Sequence, residues 1–146
     1  MRRSARKAEA PDLGVLAARL LFGLQAELFA RAAELGFDDL GPRHGAVLAH
    51  LDEEGIRLAD LARLAGRNKQ TIAAILDELE QLGYVHRTPD PADRRAKLVM
   101  PTEKGRRVMR ISDEIVADIE ARHARRLGAG AYAEFVRVLG LITGDG

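Results

Sequence analysis

The chain contains no cysteine, which excludes disulfides, thiolate metal sites and a cysteine-based redox switch. It also lacks an unbroken apolar run of about 18 residues, and a basic-then-apolar leader ending in a small-residue cleavage site. These two absences predict a soluble chain working in the cytoplasm. The only imidazoles are His44, His50, His86 and His123, and no two lie three or four residues apart. No helical pair is therefore spaced to grip a metal, and zinc stays open only through a set that the fold assembles, such as Glu27, His44 and His123. A Ser-His-Asp set, a phosphate-cradling glycine loop and an HExxH motif are all missing, and the glycines fall at the ends of predicted helices, where chain reversal accounts for them. The sequence thus predicts no enzyme and no cofactor. Internal repeats and low-complexity segments are likewise absent.

What is there fits one compact domain: 146 residues, 47% of them hydrophobic. At this length folding buries about two-thirds of the unfolded chain's surface. The formal net charge of +1 says nothing about partners, but its distribution does. Arg57 to Arg107 holds 11 Lys and Arg against 7 Asp and Glu, a surplus of four, and the rest of the chain is net negative by three. Positive charge is concentrated there as a footprint for phosphates requires. A separate cluster, Arg2, Arg3, Arg6 and Lys7, falls in residues 1–10, expected to be a disordered, solvated basic tail.

Pro11-Asp12 opens a long helical pattern in which Leu13, Leu16, Ala17, Leu20, Leu21, Leu24, Leu28, Ala32 and Leu35 recur at steps of three and four until Gly36. A second helix is predicted from Pro42, suited to a first turn, to about Leu51. Leu58, Leu61, Ala62 and Leu64 mark a short helix ended by Gly66. Asn68 then offers an N-cap for a helix burying Ile72, Ile75, Leu76, Leu79 and Leu82 before Gly83. Thr102 caps a long helix reaching about Leu127, and a last helix runs from about Ala131 to Ile142.

Between these helices lies the most telling segment. Tyr84 to Arg87 and Lys97 to Val99 roughly alternate apolar and polar residues, and Pro89 and Pro91 exclude regular ladder pairing between them. The excluded residues form the tip of a hairpin. There Asp93 stands two residues before Arg95, close enough to hold its guanidinium in the pose that a narrow, electronegative minor groove attracts. Taken alone, such a hairpin is only a charged surface turn. The order helix, Gly66 turn, capped helix, hairpin is that of a winged helix-turn-helix, and it favours DNA.

At 100° per residue, Ile72, Ile75, Leu76 and Leu79 form the inner face of the helix after Asn68, and Gln70, Ala74, Asp77 and Gln81 the outer one. Lys69 and the helix N-terminus suit phosphate, Gln70 can pair bidentately with adenine, and Thr71 can bond a phosphate or a base edge. Ala73 and Ala74 offer only a contact for a thymine methyl. Asp77, Glu78 and Glu80 repel phosphates, so only the first one or two turns should lie deep in a groove. The broad Leu, Val and Ile stripes of the first and last two helices exceed what a monomer can cover, which predicts a dimer.

These motifs resemble the MarR family, the multiple-antibiotic-resistance regulators. Leu61 and Ala62 match its leucine-alanine helix. Asn68, Lys69, Gln70 and Thr71 match the start of its recognition helix, and Leu79 and Gly83 its end. Asp90, Pro91, Asp93, Arg94 and Arg95 match the wing, and Thr102, Glu103 and Gly105 the start of the following helix. The resemblance implies a mainly α fold of six helices with a small β-hairpin wing. One domain over 11–146 would hold dimerisation helices at 12–35 and 102–142 around a DNA-binding lobe at 42–100. It implies a homodimeric repressor that reads an inverted repeat in double-stranded DNA and releases it on binding a small anionic or phenolic effector between the dimerisation helices and the lobe. The expected DNA-binding residues are Asn68, Lys69, Gln70, Thr71, Ala74, Asp93, Arg94, Arg95 and Lys97. Arg19, Arg43, His44 and Arg106 are candidates to meet the effector, although an exposed helical arginine is more often simply solvated. Tyr84 and Phe37 are expected in the core.

The chain departs from the family pattern at Ala73 and Ala74, which take the place of a frequent Ser then Arg. Arg57 stands where Thr or Ser often caps the third helix, and Pro101 where Leu is usual. Two readings compete with the repressor. One is a winged-helix protein-interaction module using Asp77, Glu78 and Glu80 as its partner face; the other is a zinc-responsive repressor of the same fold.

Overall fold

Asp12 fixes the start of the first long helix by accepting a hydrogen bond from the Val15 N–H at 3.0 Å. In the computed structural model, which describes residues 1–144, the elements follow as α1 (Arg3–Glu9), α2 (Leu13–Glu34), α3 (Pro42–Leu48), β1 (Ile56–Arg57), α4 (Leu58–Ala65), α5 (Lys69–Gln81), β2 (Val85–Pro89), β3 (Lys97–Pro101), α6 (Glu103–Leu127) and α7 (Ala129–Thr143). There are thus seven helices among the described residues, not six. The extra one is α1, formed where a disordered tail was expected. It buries no side chain, and the ion pair of Lys7 with Asp12 lies across its exit.

The contacts divide the chain into two compact units, Met1–Ser112 and Asp113–Gly146. In the first, the inner face of α5 (Ile72, Ile75, Leu76, Leu79) joins Val47, Leu61, Tyr84, Val85, Val99 and Val108 in one core. Phe37 and Tyr84 belong to it, with ring centroids 6.3 Å apart. In the second, Gly128 turns the chain at φ 93°, and His123 on α6 stacks on Tyr132 of α7 at 6.2 Å.

The sheet has three antiparallel strands in the order β1-β3-β2. β2 and β3 form the hairpin, in register from Val85 opposite Pro101 to Pro89 opposite Lys97. The ladder stops at Pro89, as a residue without an N–H dictates. β1 adds Ile56 opposite Val99 and Arg57 opposite Leu98.

Two helices present uncovered apolar faces. On α2 Leu13, Leu16, Leu20, Leu21 and Phe22 are exposed, and on α7 Phe135, Val136, Val138, Leu141 and Ile142. The expectation that no segment could span a bilayer is corrected at α2: within its 22 residues an 18-residue stretch has a mean hydropathy of 1.5, long and apolar enough to cross one by length and composition. Arg19 and Glu27 hid this in the sequence, because they interrupt the apolar run while the leucines around them keep its mean high.

Candidate nucleic-acid interface

The interface is built outward from one glycine. Gly66 ends α4 in the left-handed region (φ 64°, ψ 30°), which a residue without Cβ adopts at little cost, and the chain turns there towards α5. Asn68 then caps α5, its side-chain oxygen accepting from the Thr71 N–H at 2.7 Å. The apolar side of α5 is sealed in the core, so Lys69, Gln70 and Ala74 are exposed and Thr71 is half-buried. The first turn thus presents one cation, one amide and one hydroxyl at a helix N-terminus, the arrangement that meets phosphate and base edges.

The acidic residues of α5 are engaged within the fold. Arg87 on β2 donates to Asp77 at 2.5 Å and to Glu80 at 2.7 Å, and the Asp77 bond first, then Glu80, raises its already high pKa. Glu78 takes Arg43 and His44 from α3. His44 is buried, its Nδ1 accepting from the Gly41 N–H at 3.0 Å, which leaves the proton on Nε2, 3.0 Å from Glu78 Oε2. Burial first, then the positive charge of Arg43, pushes the His44 pKa down against the opposing pull of Asp39. The acid repulsion expected along α5 is therefore largely cancelled by neighbouring cations.

Beyond the ladder the hairpin tip closes on itself. Asp90 N–H donates to Ala96 O, Asp93 N–H to Asp90 O, and Ala96 N–H to Asp93 O. Asp93 accepts the Arg95 backbone N–H at 3.1 Å, whereas its contact with the Arg95 guanidinium is a loose 3.8 Å. The expectation that Asp93 holds the guanidinium is thus corrected: it shapes the turn, and the Arg95 side chain, 97% exposed, extends into solvent. Arg94 and Lys97 are exposed on the same tip. The half-buried Asp93 supports the tip from within.

Sequence reasoning missed the arginines that brace this surface. Arg57 donates through Nε to Asp90 at 2.6 Å, and that bond with the Asp90 charge raises its pKa. Arg57 and Asp90 lie 33 residues apart, and nothing in the local pattern pairs them. An arginine at Arg87 soon after the acids of α5 was the one available signal, since a strand leaving that helix runs back beside it.

Of the four effector candidates, the structure sets one at a cavity. A cleft of about 550 Å³ lies between α2, α3 and α5, with Leu21, Phe22, Arg43, Arg67, Thr71 and Ala74 on its walls. Arg19, His44 and Arg106 do not line it. Arg106 is occupied by the Glu53 carbonyl at 3.0 Å, and His44 by Gly41 and Glu78. No group of three or more His, Asp or Glu able to hold a metal occurs among the described residues.

A capped recognition helix beside a basic, ordered hairpin tip, on a helix-turn-helix braced by β1, defines a winged helix-turn-helix DNA-binding transcriptional regulator. The sequence profile of the MarR family matches residues 38–96, the segment that carries this surface. The chain is similar to the MarR family over that segment. It is 28% identical over 138 residues to the HTH-type transcriptional repressor Rv2887 of Mycobacterium tuberculosis, covering 94% of this chain and 98% of that one. Over 98 residues it is 28% identical to the transcriptional regulator HosA of Escherichia coli, 67% of this chain and 73% of HosA. Among solved structures, CouR of Rhodococcus jostii bound to p-coumaroyl-CoA is similar at a TM-score of 0.75 and 27% identity, covering 94% of this chain and 95% of CouR. CouR bound to a 23-mer DNA duplex matches at the same TM-score and identity, covering 97% and 98%.

Proposed function

We propose that this regulator is a homodimeric repressor that binds an inverted repeat and lets go of it when a small anionic or phenolic effector is bound. The observation that carries the reading is the tip of the wing: an internally bonded turn with Arg94 and Arg95 unshielded, beside the exposed first turn of α5. In this reading Lys69, Gln70, Thr71 and Ala74 meet the major groove from the start that Asn68 caps, and Arg95, aided by Arg94 and Lys97, enters the flanking minor groove. Its relatives named as repressors, and the CouR structure on a DNA duplex, support the assignment.

The uncovered faces of α2 and α7 supply the dimer contact. A two-fold partner sets two recognition helices about one DNA turn, roughly 34 Å, apart. The competing protein-interaction reading loses its partner face, because Asp77, Glu78 and Glu80 are held by Arg87, Arg43 and His44. The cleft between α2, α3 and α5 suits an effector with an apolar body against Leu21 and Phe22 and an anionic end towards Arg43 and Arg67. CouR with p-coumaroyl-CoA gives this a parallel. The protein works in the cytoplasm and catalyses no reaction.

Selection of bound duplexes from a random pool tests the reading. The expected product is a palindrome whose half-sites are centred about one turn apart. Enrichment of single, unpaired half-sites, or a monomer mass by light scattering at micromolar concentration, contradicts it.

A further inference from the structure

Asp90 is buried although its chain neighbours Pro91 and Ala92 are exposed. Both oxygens of its carboxylate are used: Oδ1 accepts the Ala92 N–H at 2.8 Å, and Oδ2 accepts Arg57 Nε at 2.6 Å. Its main chain also carries the tip, donating to Ala96 O and accepting from Asp93 N–H. Among the described residues, Arg57 is the side chain from outside the tip that bonds to it. Arg57 sits on β1, opposite Leu98 of the central strand, so its side chain reaches across β3 to the end of β2. It is also the residue at the N-cap of α4, where its side chain makes no cap bond. One side chain therefore joins the start of the helix-turn-helix to the base of the wing tip.

We propose that Arg57 is a positioning residue for minor-groove binding: by holding Asp90 it sets the pose of the wing tip, and through the tip that of Arg95. This rests on the reading in which Arg95 enters the minor groove. The sign of one substitution separates positioning from simple charge. A carboxylate near phosphates weakens binding, so removing it by Asp90→Asn tightens binding on charge alone. If Asp90 instead serves to anchor the tip, the same change weakens it. Asn keeps an oxygen for the Ala92 N–H, so the turn itself survives.

The experiment measures affinity for two duplexes with identical half-sites, one flanked by A·T tracts with a narrow minor groove and one by G·C. Wild type, Arg95→Ala, Arg57→Gln, Asp90→Asn and the double variant Arg57→Gln/Arg95→Ala are compared, each with a thermal melt to establish folding. Wild type is expected to favour A·T flanks, and each single variant to lower that preference about tenfold, the scale of one lost base contact. The double variant should lose no more than Arg95→Ala alone, because both act through one side chain. Equal weakening on both flanks by Arg57→Gln would make Arg57 a direct phosphate contact and overturn the proposal, as would tighter binding by Asp90→Asn. If Arg95→Ala itself leaves the preference intact, the wing reading falls and the proposal with it. If Arg95→Ala abolishes it while Arg57→Gln does not, the proposal alone falls.

Discussion

In the proposed complex Arg95 and Gln70 stand for the two ways this surface reaches DNA, and their surroundings differ. The guanidinium of Arg95 is unshielded at the end of an ordered turn, whereas Gln70 stands on a helix whose next outward positions, Ala73 and Ala74, donate nothing. On one operator duplex Arg95→Ala should therefore raise Kd more than Gln70→Ala, and the reverse order would move the burden of binding to α5. A second prediction concerns His44, whose pKa burial pushes below its ordinary 6.5. A base with a depressed native pKa contributes fully above its unfolded value and loses that contribution as pH falls through the window below. The urea midpoint should therefore drop as pH is lowered from 7.5 to 5.5, and His44→Gln should reduce that dependence. An unchanged dependence in the variant would assign the acid sensitivity elsewhere. At this scale the Asn68 cap and the wing arginines were legible because their signals are local. The partners of Glu78 and Asp90 were not, since His44 and Arg57 lie 34 and 33 residues away in the chain.

The elements meet at the start of α6, where Thr102 donates its N–H to Tyr84 O and its hydroxyl to Gly83 O. Thr102 Oγ1 in turn caps Gly105 N–H at 3.1 Å. A Cβ on Gly105 would lie 2.1 Å from the Tyr84 carbonyl oxygen, so the helix must lift off the strand to admit one. Gly to Ala inside a helix ordinarily stabilises by about 1 kcal/mol. Here Gly105→Ala should instead destabilise by about 1–3 kcal/mol, the usual cost of overpacking, read as a lower denaturant midpoint. A raised midpoint would mean that the close approach is not obligatory. The longer helices were legible from their apolar steps, with boundaries moved by a few residues. β1 was not, because two residues carry no alternation to detect, and α1 was hidden because it has no buried side to impose a period.

For the whole molecule, the proposed reading gives association to the exposed apolar residues on α2 and α7, and DNA to the charged surface around α5 and the wing. The cleft proposed for the effector shares Thr71 and Ala74 with the face proposed to meet DNA, so occupancy of the cleft and of a groove would bear on the same helix. The exposed apolar stripes and the clustered cations were readable from the sequence, since they survive any error in element boundaries; the cleft was not, because three helices distant in sequence form it. The central claim is that this surface grips a duplex through phosphates and a wing arginine, and its most direct test is binding to the selected operator as salt is varied. The account predicts that log K falls linearly with log salt, by roughly a thousandfold or more between 50 and 200 mM. It also predicts that the slope becomes shallower in Arg95→Ala. Binding that is indifferent to salt, or a slope unchanged by Arg95→Ala, would contradict it.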